Sequence, residues 1–336
     1  MRFPLGLVLG LGRYLMTRVL RGEDRFPLVL MLEPTHRCNL FCAGCGRIRE
    51  YVQADEVAMS AEACLAAAAE ADAPVVAVSG GEPLLHPEIE DIVNGLIAQG
   101  RFIYLCTNGL LLQESLDKLP RHPYVSLNVH LDGLAQTHDR LTGRQGTFEA
   151  AMDATSAARE ARFRVCTNTT LYKATDPQEI IELLSQLMDA GVDGALLSPG
   201  FSYEAVEEDI FLSEHEIHST FQMLLPRLNG TRLMNTAPYR AFLKGERYLG
   251  CSPWGNPTCT PQGWKQPCYL LTDGYCESFS QLMEDTDWER FESGSDPRCA
   301  DCLVHSGYET SAVVAMLRPA RRLRDALSRD RRQLRA

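Results

Sequence analysis

The sequence predicts an α/β fold built on a parallel sheet, followed by a smaller cysteine-rich region. Between residues 28 and 200, six short runs rich in Val, Leu, Ile and aromatic residues alternate with segments of helical periodicity. Strands that alternate with helices in this way pair in parallel and place ligands at their carboxyl ends. After residue 200 the alternation stops and a second group of cysteines appears.

The chain of 336 residues divides into four segments. They are an N-terminal amphipathic helix (1–27), an α/β region (28–205), a C-terminal cysteine-rich region (206–317) and a basic C-terminal tail (318–336). The hydrophobic content of 45% and charged content of 23% are those of an ordinary globular protein. The length is sufficient to bury a full core.

The α/β region contains recognisable strands and helix starts. The predicted strands are Leu28–Leu32, Val75–Ser79, Phe102–Thr107, Val125–His130, Phe163–Asn168 and Ala195–Ser198. The predicted helices are Ser60–Glu70, His86–Gly100 and Pro177–Ala190. After residue 200, an acidic loop is expected to lead into a helix near Ser213, and no further strand of comparable quality is predicted.

Three thiols follow the first strand in a C-x3-C-x2-C spacing, at Cys38, Cys42 and Cys45. Close thiolates favour soft metals. A zinc ion or a four-cysteine cluster needs a fourth ligand, whereas an iron-sulfur cluster held by three cysteines keeps one iron open for a substrate or cofactor. A small zinc knuckle is the alternative interpretation.

The second strand is followed by Ser79, Gly80, Gly81, Glu82 and Pro83. The two glycines leave room for close backbone approach, and Glu82 is an acceptor for a bound ammonium group. A Gly-Gly turn is common by itself. Its position at the end of the second strand makes it a candidate binding segment.

Together the two motifs resemble those of the radical S-adenosylmethionine superfamily. The resemblance implies a partial (β/α)6 barrel, a 4Fe–4S cluster on Cys38, Cys42 and Cys45, and S-adenosylmethionine bound to the open iron. It also implies that the segment 79–82 holds the amino group of the cofactor. Many members carry an aromatic residue before the third cysteine, where this chain has Gly44, so a differently shaped adenine pocket is expected.

A second cysteine group resembles the auxiliary-cluster domains of such enzymes. Its members are Cys251, Cys268, Cys299 and Cys302. Four thiols complete a second 4Fe–4S cluster with no open iron. Zinc fits the spacing nearly as well, and unmetallated cysteines are the third alternative. Cys259 and Cys276 lie nearby, which leaves the ligand assignment open.

A closer resemblance, to the adenosylhopane synthases of bacterial hopanoid biosynthesis, covers nearly the whole chain. The matching segments are 25–34, 42–46, 104–108, 130–134, 138–140, 198–204, 253–257, 267–271 and 299–305. In that family the adenosyl radical adds through its 5' carbon to the exocyclic alkene of diploptene. Two positions depart from the family pattern: Ser306 replaces a cysteine, and Cys259 stands where cysteine is not typical.

This chemistry requires a hydrogen donor, because addition to a terminal alkene leaves a tertiary carbon radical. Cys106 ends the third strand and lies outside both cysteine groups. The resemblance implies that its thiol quenches the radical. A buried core cysteine is the alternative, and it is the expectation for Cys64 and Cys166.

Further cofactor contacts are expected at the carboxyl ends of the strands. The resemblance implies contacts from Asn108, His130, Asp132, Asn168 and Ser198. Each also has an ordinary alternative, such as a turn at Asp132-Gly133 or a cap at Ser198. Tyr203 and Glu204 are candidates for the substrate mouth.

Charge and location give expectations about partners. The net charge of −11 argues against nucleic acid. The N-terminal apolar run is too short to span a bilayer and does not resemble a signal peptide, so an amphipathic basic helix is expected. It packs on the protein or contacts an anionic membrane. We expect a reducing cytoplasmic location, with peripheral contact at the inner face of the cell membrane. The expected partners are a hydrophobic triterpene substrate and an electron donor such as flavodoxin or ferredoxin.

Three alternatives to this hypothesis are an enzyme acting on another terpenoid alkene, a hydrogen-abstracting enzyme with an auxiliary cluster, and a non-catalytic metal-cysteine module. The last leaves both the open-iron triad and the segment 79–83 unexplained.

Overall fold

The computed structural model describes residues 5–51 and 58–317. One nine-stranded sheet runs through them in the order β6-β5-β4-β3-β2-β1-β7-β8-β9. The strands are β1 (Val29–Leu32), β2 (Val75–Val78), β3 (Phe102–Thr107), β4 (Val125–His130), β5 (Arg164–Leu171), β6 (Gly194–Pro199), β7 (Thr258–Thr260), β8 (Gly263–Pro267) and β9 (Thr272–Cys276). The predicted α/β fold with a C-terminal extension is confirmed.

The helices flank this sheet. They are α1 (Leu5–Arg21), α2 (Gly46–Tyr51), α3 (Ala61–Ala71), α4 (Ile89–Ala98), α5 (Leu112–Ser115), α6 (Ala135–Thr142), α7 (Thr147–Glu160), α8 (Pro177–Asp189), α9 (Glu214–Leu224), α10 (Ala237–Leu243), α11 (Phe279–Asp285), α12 (Trp288–Glu292) and α13 (His305–Met316). Three of the predicted helices begin with side-chain caps, from Ser60, Asp176 and Ser213.

All six predicted strands form and pair in parallel from β1 to β6. Side chains alternate between the two faces of a strand. Leu105 and Leu127 are therefore fully buried in the main core, whereas Cys106 lies on the opposite face of β3. The register places Cys106 beside Asn128 and Asn128 beside Cys166. Residues of the candidate site thus come together on one face of the sheet.

The expectation that no strand of comparable quality follows residue 200 is wrong. Strand β7 pairs in parallel with β1, and β8 and β9 continue the sheet as antiparallel neighbours. These strands are short and contain Gly, Pro and charged residues, so their sequence carries little strand signal. They form because β1 would otherwise present an unpaired edge. The sheet therefore crosses the predicted boundary at residue 205.

Helix α1 packs at the amino ends of the central strands. Leu7 lies in one cluster with Val75 and Phe102, the first residues of β2 and β3. Tyr14 donates a hydrogen bond to the Pro27 carbonyl, just before β1, at 2.6 Å. No helix of the described residues is long and apolar enough to cross a membrane. The predicted basic tail 318–336 lies outside the described residues.

Candidate functional site

The three cysteines of the first motif lie on the loop between β1 and α2. Arg49 Nη1 donates hydrogen bonds to the carbonyl oxygens of Cys42 and Cys45, both at 2.9 Å. Burial raises the pKa of all three thiols, to about 11 for Cys38. Each thiol therefore keeps its proton until a metal displaces it. Three soft donors on one loop held by a cation fit an iron-sulfur cluster.

The glycines after β2 allow two backbone segments to meet. Gly81 N donates to the Thr35 carbonyl at 2.9 Å, and Glu82 N donates to the Arg37 carbonyl at 2.8 Å. A Cβ on Gly81 would lie 2.0 Å from the Arg37 carbonyl oxygen, and Gly80 has a φ of +104°. The two glycines therefore let the backbone after β2 lie close to the residues just before Cys38. The segment positions the cysteine loop.

Glu82 connects the ends of β2 and β3. Its buried carboxylate accepts hydrogen bonds from Leu84 N at 3.1 Å, Thr107 Oγ1 at 2.8 Å and Asn108 N at 2.8 Å. Burial raises its pKa. A carboxylate has about four acceptor sites, so one remains for the ammonium group that we expected here. Asn108 Nδ2 also donates to Asn39 Oδ1 at 2.7 Å, which ties the cysteine loop to β3.

The ends of β4 and β5 meet in a polar cluster. His130 Nε2 lies 2.7 Å from Asp132 Oδ2, and Asn168 Nδ2 lies 3.4 Å from His130 Nδ1. Burial alone would lower the pKa of His130, but the neighbouring Asp132 carboxylate outweighs burial and raises it. Asp132 Oδ1 also accepts from Thr170 N at 2.7 Å. The structure brings these three predicted residues together.

Two predicted contacts have different surroundings. The Ser79 hydroxyl is buried and has no hydrogen-bond partner in the structure. Ser198 is buried and lies 3.1 Å from His305 Nδ1, at the start of α13. Ser198 is thus engaged by the C-terminal region, although its register position beside Thr170 is at the carboxyl end of the sheet.

Cys106 lies on the inner face of β3, between Tyr104 and the carboxyl end of the strand. Asn128 Nδ2 donates to Cys106 Sγ at 3.6 Å, and the Cys106 thiol lies 3.8 Å from the Tyr104 carbonyl oxygen. Burial raises the pKa of Cys106 to about 11. The side chain is therefore a protonated thiol at neutral pH. Cys166 occupies the matching level of β5 on the other side of Asn128.

Two tyrosines fill space beside the cysteine loop. A Cβ on Gly44 would lie 2.4 Å from the Tyr172 hydroxyl oxygen, and one on Gly46 would lie 2.2 Å from the Tyr203 ring. Tyr172 is buried just after β5. The ring of Tyr172 therefore occupies the space next to Gly44, where we expected a differently shaped adenine pocket. Sequence reasoning missed Tyr172 because it is distant in the chain.

Arg47 connects the two cysteine groups and was also missed. Its buried guanidinium lies 3.2 Å from Glu33 Oε1 and 3.0 Å from Glu50 Oε2. It also lies 4.6 Å from the ring centroid of Tyr269, the residue after Cys268. Burial would lower its pKa, but the Glu33 carboxylate and the neighbouring tyrosines together outweigh burial and raise it. Its position two residues after Cys45 was the available sequence signal.

The second cysteine group surrounds one cavity. Its lining includes Cys251, Cys268, Cys299 and Cys302, together with apolar and aromatic side chains. Burial raises the pKa of all four thiols, to about 11 for Cys299 and about 12 for Cys302. Ser306, which departs from the resembled family, lines the same cavity. The structure thus brings the four predicted ligands together.

The other two cysteines of the region lie elsewhere. Cys259 and Cys276 are buried in the main core, on β7 and β9. In residues 5–51 and 58–317, no three His, Cys or acidic side chains are grouped to hold a single metal ion.

Family models match both halves of the chain. The model of the radical SAM superfamily matches residues 32–187. A second model, described as a domain of unknown function (DUF3463), matches residues 195–325. The first match contains the cysteine loop and the ends of β2 to β5, and the second contains the four cysteines of the second group.

Individual proteins agree with these matches. An AdoMet-dependent heme synthase of Methanosarcina barkeri is 34% identical over 151 residues, 44% of this chain and 43% of that protein. This chain thus spans less than half the length of that relative. The antilisterial bacteriocin subtilosin biosynthesis protein AlbA of Bacillus subtilis is 25% identical over 314 residues, 87% of this chain and 64% of that protein.

Among solved structures, Streptococcus suis SuiB bound to S-adenosylmethionine has the same fold. The TM-score is 0.66 at 16% identity, covering 86% of this chain and 71% of SuiB. Residues 32–187 therefore match the radical S-adenosylmethionine superfamily, whose cofactors are a 4Fe–4S cluster and S-adenosylmethionine.

Proposed function

We propose that this enzyme joins the 5' carbon of adenosine to the terminal alkene of a hopanoid, converting diploptene to adenosylhopane. The resemblance to adenosylhopane synthases over nearly the whole sequence motivates the substrate. The observation that carries the chemistry is the position of Cys106, a protonated thiol on the inner face of the barrel strands and outside both cysteine groups.

The residues of the first site have distinct roles in this proposal. Cys38, Cys42 and Cys45 hold the cluster, and Glu82 accepts a hydrogen bond from the amino group of the methionine moiety. When bound, the cluster and S-adenosylmethionine supply a 5'-deoxyadenosyl radical. The polar side chains of His130, Asp132 and Asn168, at the ends of β4 and β5, contact the rest of the S-adenosylmethionine.

Cys106 completes the reaction by donating a hydrogen atom. Addition of that radical to the alkene would break the π bond of the alkene, form one C–C bond and leave an unpaired electron on the tertiary carbon. The Cys106 S–H bond breaks and a C–H bond forms, and because the S–H bond is the weaker one the transfer is favourable. The thiyl radical at Cys106 then takes one electron from a donor of the flavodoxin or ferredoxin class and one proton from water.

The second cysteine group is proposed to bind a second 4Fe–4S cluster. Its four thiols leave no open position, so this cluster conducts electrons or stabilises the fold. The cation–π contact of Arg47 with Tyr269 connects it to the first cysteine loop. Zinc is the alternative to a second 4Fe–4S cluster at this site, and metal analysis distinguishes them.

A second candidate function is hydrogen abstraction from a peptide. It is favoured by AlbA, a bacteriocin biosynthesis protein whose match covers 87% of this chain. An enzyme of this kind releases or recycles 5'-deoxyadenosine and forms no adenosyl product.

Mass spectrometry of an anaerobic reaction distinguishes the candidates. The reaction contains reconstituted enzyme, S-adenosylmethionine, a strong reductant and diploptene. A product with the summed mass of diploptene and 5'-deoxyadenosine is expected. Free 5'-deoxyadenosine alone would contradict the hopanoid substrate while leaving the radical chemistry in place.

A variant pair tests the thiol. Cys106→Ala is expected to cleave the cofactor but to lower the yield or scramble the configuration of the product. Cys166→Ala, in which the other thiol beside Asn128 is removed, is the matched control and should behave as wild type. Unchanged yield and configuration in Cys106→Ala would exclude the assigned role.

A further inference from the structure

Helix α1 has an apolar face that the protein leaves uncovered. Leu7, Leu15 and Val19 are buried against the sheet. Five other side chains are exposed, which is more than half of the nine exposed large apolar side chains in the described residues: Leu5, Val8, Leu9, Met16 and Leu20. At about 100° per residue, these five fall within an arc of roughly 120°, which also contains Val19, a buried residue in the last turn of the helix. Exposed apolar residues are normally scattered singly over a protein surface, so their concentration on one helix marks an interaction surface.

The charges around this outer face are positive. Arg13 is exposed within the helix, and the Arg21 side chain is 63% exposed at its end. Arg18 is mostly buried and paired with Glu23 and Asp72, and Arg21 Nη1 lies 3.8 Å from Glu23 Oε1. Helix α1 contains no acidic residue. An exposed apolar stripe flanked by arginine is typical of helices that lie in the interface of an anionic membrane.

The described chain ends near the end of α1, and the sequence that follows Leu317 is basic. Val314, near the end of α13, lines one surface cleft with Asp24 and Arg25, which follow α1. The residues after Leu317 carry eight arginines and two aspartates, whereas the whole chain has a net charge of −11. The rest of the protein is therefore strongly acidic. An anionic surface would attract this end and repel the remainder.

We propose that the outer face of α1 binds the surface of an anionic membrane, with its apolar side chains at the boundary between headgroups and acyl chains. The occupant is a lipid bilayer rather than a second copy, because two such helices would bring their arginines together. The proposal does not depend on the substrate. Since α1 lies at the amino ends of the strands, docking leaves the cysteine loop at the opposite end accessible to an electron donor.

Flotation of the full chain with vesicles tests the proposal. Vesicles of phosphatidylcholine alone are compared with vesicles that also contain phosphatidylglycerol, at low and high salt. The protein should float with the anionic vesicles at low salt and remain at the bottom with neutral ones. Equal binding to both kinds of vesicle, or no binding to either, would overturn the proposal.

Variants locate the binding face. The double variant Leu9→Glu/Leu20→Glu changes two side chains that are 64% and 72% exposed, so the fold should be retained. We expect its bound fraction to fall about tenfold or more. Met223→Glu, at an exposed apolar position on α9, is the control and should bind as wild type. Undiminished flotation of the double variant would refute the role of α1. The proposal would also be refuted if light scattering showed a dimer for wild type and a monomer for the double variant, because α1 would then bind a second copy.

Discussion

Replacing Gly307 by alanine tests whether the second cysteine group binds a metal or is a cavity lined by free thiols. Gly307 lies on α13, and a Cβ there would be 2.5 Å from Cys251 Sγ. Real Cβ contacts are not shorter than 3.0 Å, so the sulfur must move by at least about 0.5 Å. A free thiol accommodates this by rotating. A metal ligand does not, because ligand distances vary by only about 0.2 Å.

Gly307→Ala should therefore remove the second cluster and keep the first. Iron content of the anaerobically reconstituted protein should fall from roughly eight to roughly four atoms per chain. Reductive cleavage of S-adenosylmethionine at the first site should be retained. Without metal, the variant should lose no more than about 1–3 kcal/mol of unfolding free energy, because only a side chain must move.

Gly250→Ala is the matched control, next to Cys251 in the sequence. Its added Cβ would lie 3.6 Å from the nearest backbone oxygen, which is an ordinary contact. Iron, sulfide and zinc are measured in both variants. If Gly307→Ala binds as much iron and sulfide as wild type, the cavity is not a cluster site. Zinc in wild type that is lost in Gly307→Ala would assign the cavity to zinc.

Three further predictions concern the thiol donor, pH and the loop after β2. Asn128→Ala removes one hydrogen bond to Cys106, of about 0.5–1.5 kcal/mol, so the ratio of adenosyl product to 5'-deoxyadenosine should fall roughly 2- to 12-fold in product analysis. Burial raises the pKa of Glu309 to about 7, so its neutral form stabilises the fold below about pH 4.5 and this contribution is lost as pH rises through 7. Glu309→Gln should therefore be up to about 3 kcal/mol more stable than wild type at pH 9 in denaturant unfolding. Gly81→Ala forces a backbone shift of about 1 Å at Arg37 and should abolish cluster retention in iron analysis.

Each of these has a control or a contradicting result. Cofactor cleavage should be unchanged in Asn128→Ala, and an equal loss of cleavage would indicate general damage. Wild type and Glu309→Gln should show the same stability below about pH 5, and a gap that persists there would exclude titration as the cause. Gly12→Ala, with no atom within 4 Å of the added Cβ, should retain its iron.

The sequence alone determined the local features of this protein. Alternating apolar runs and helix-capping residues predicted the six parallel strands and the starts of three helices, because both depend on residues a few positions apart. The spacing of Cys38, Cys42 and Cys45 likewise predicted a soft-metal loop. Local patterns failed for β7 to β9, whose short polar sequences become strands only because the edge of β1 is available.

Tertiary structure decided which distant residues meet. Tyr172 fills the space beside Gly44, and Arg47 contacts Tyr269 beside the second cysteine group. The outer face of α1 stays exposed because only its other face fits the amino ends of the strands. No local spacing encodes such contacts, since each depends on how separate elements pack together. The sequence therefore predicted which residue types act as ligand and donor, and packing decided which residues surround them.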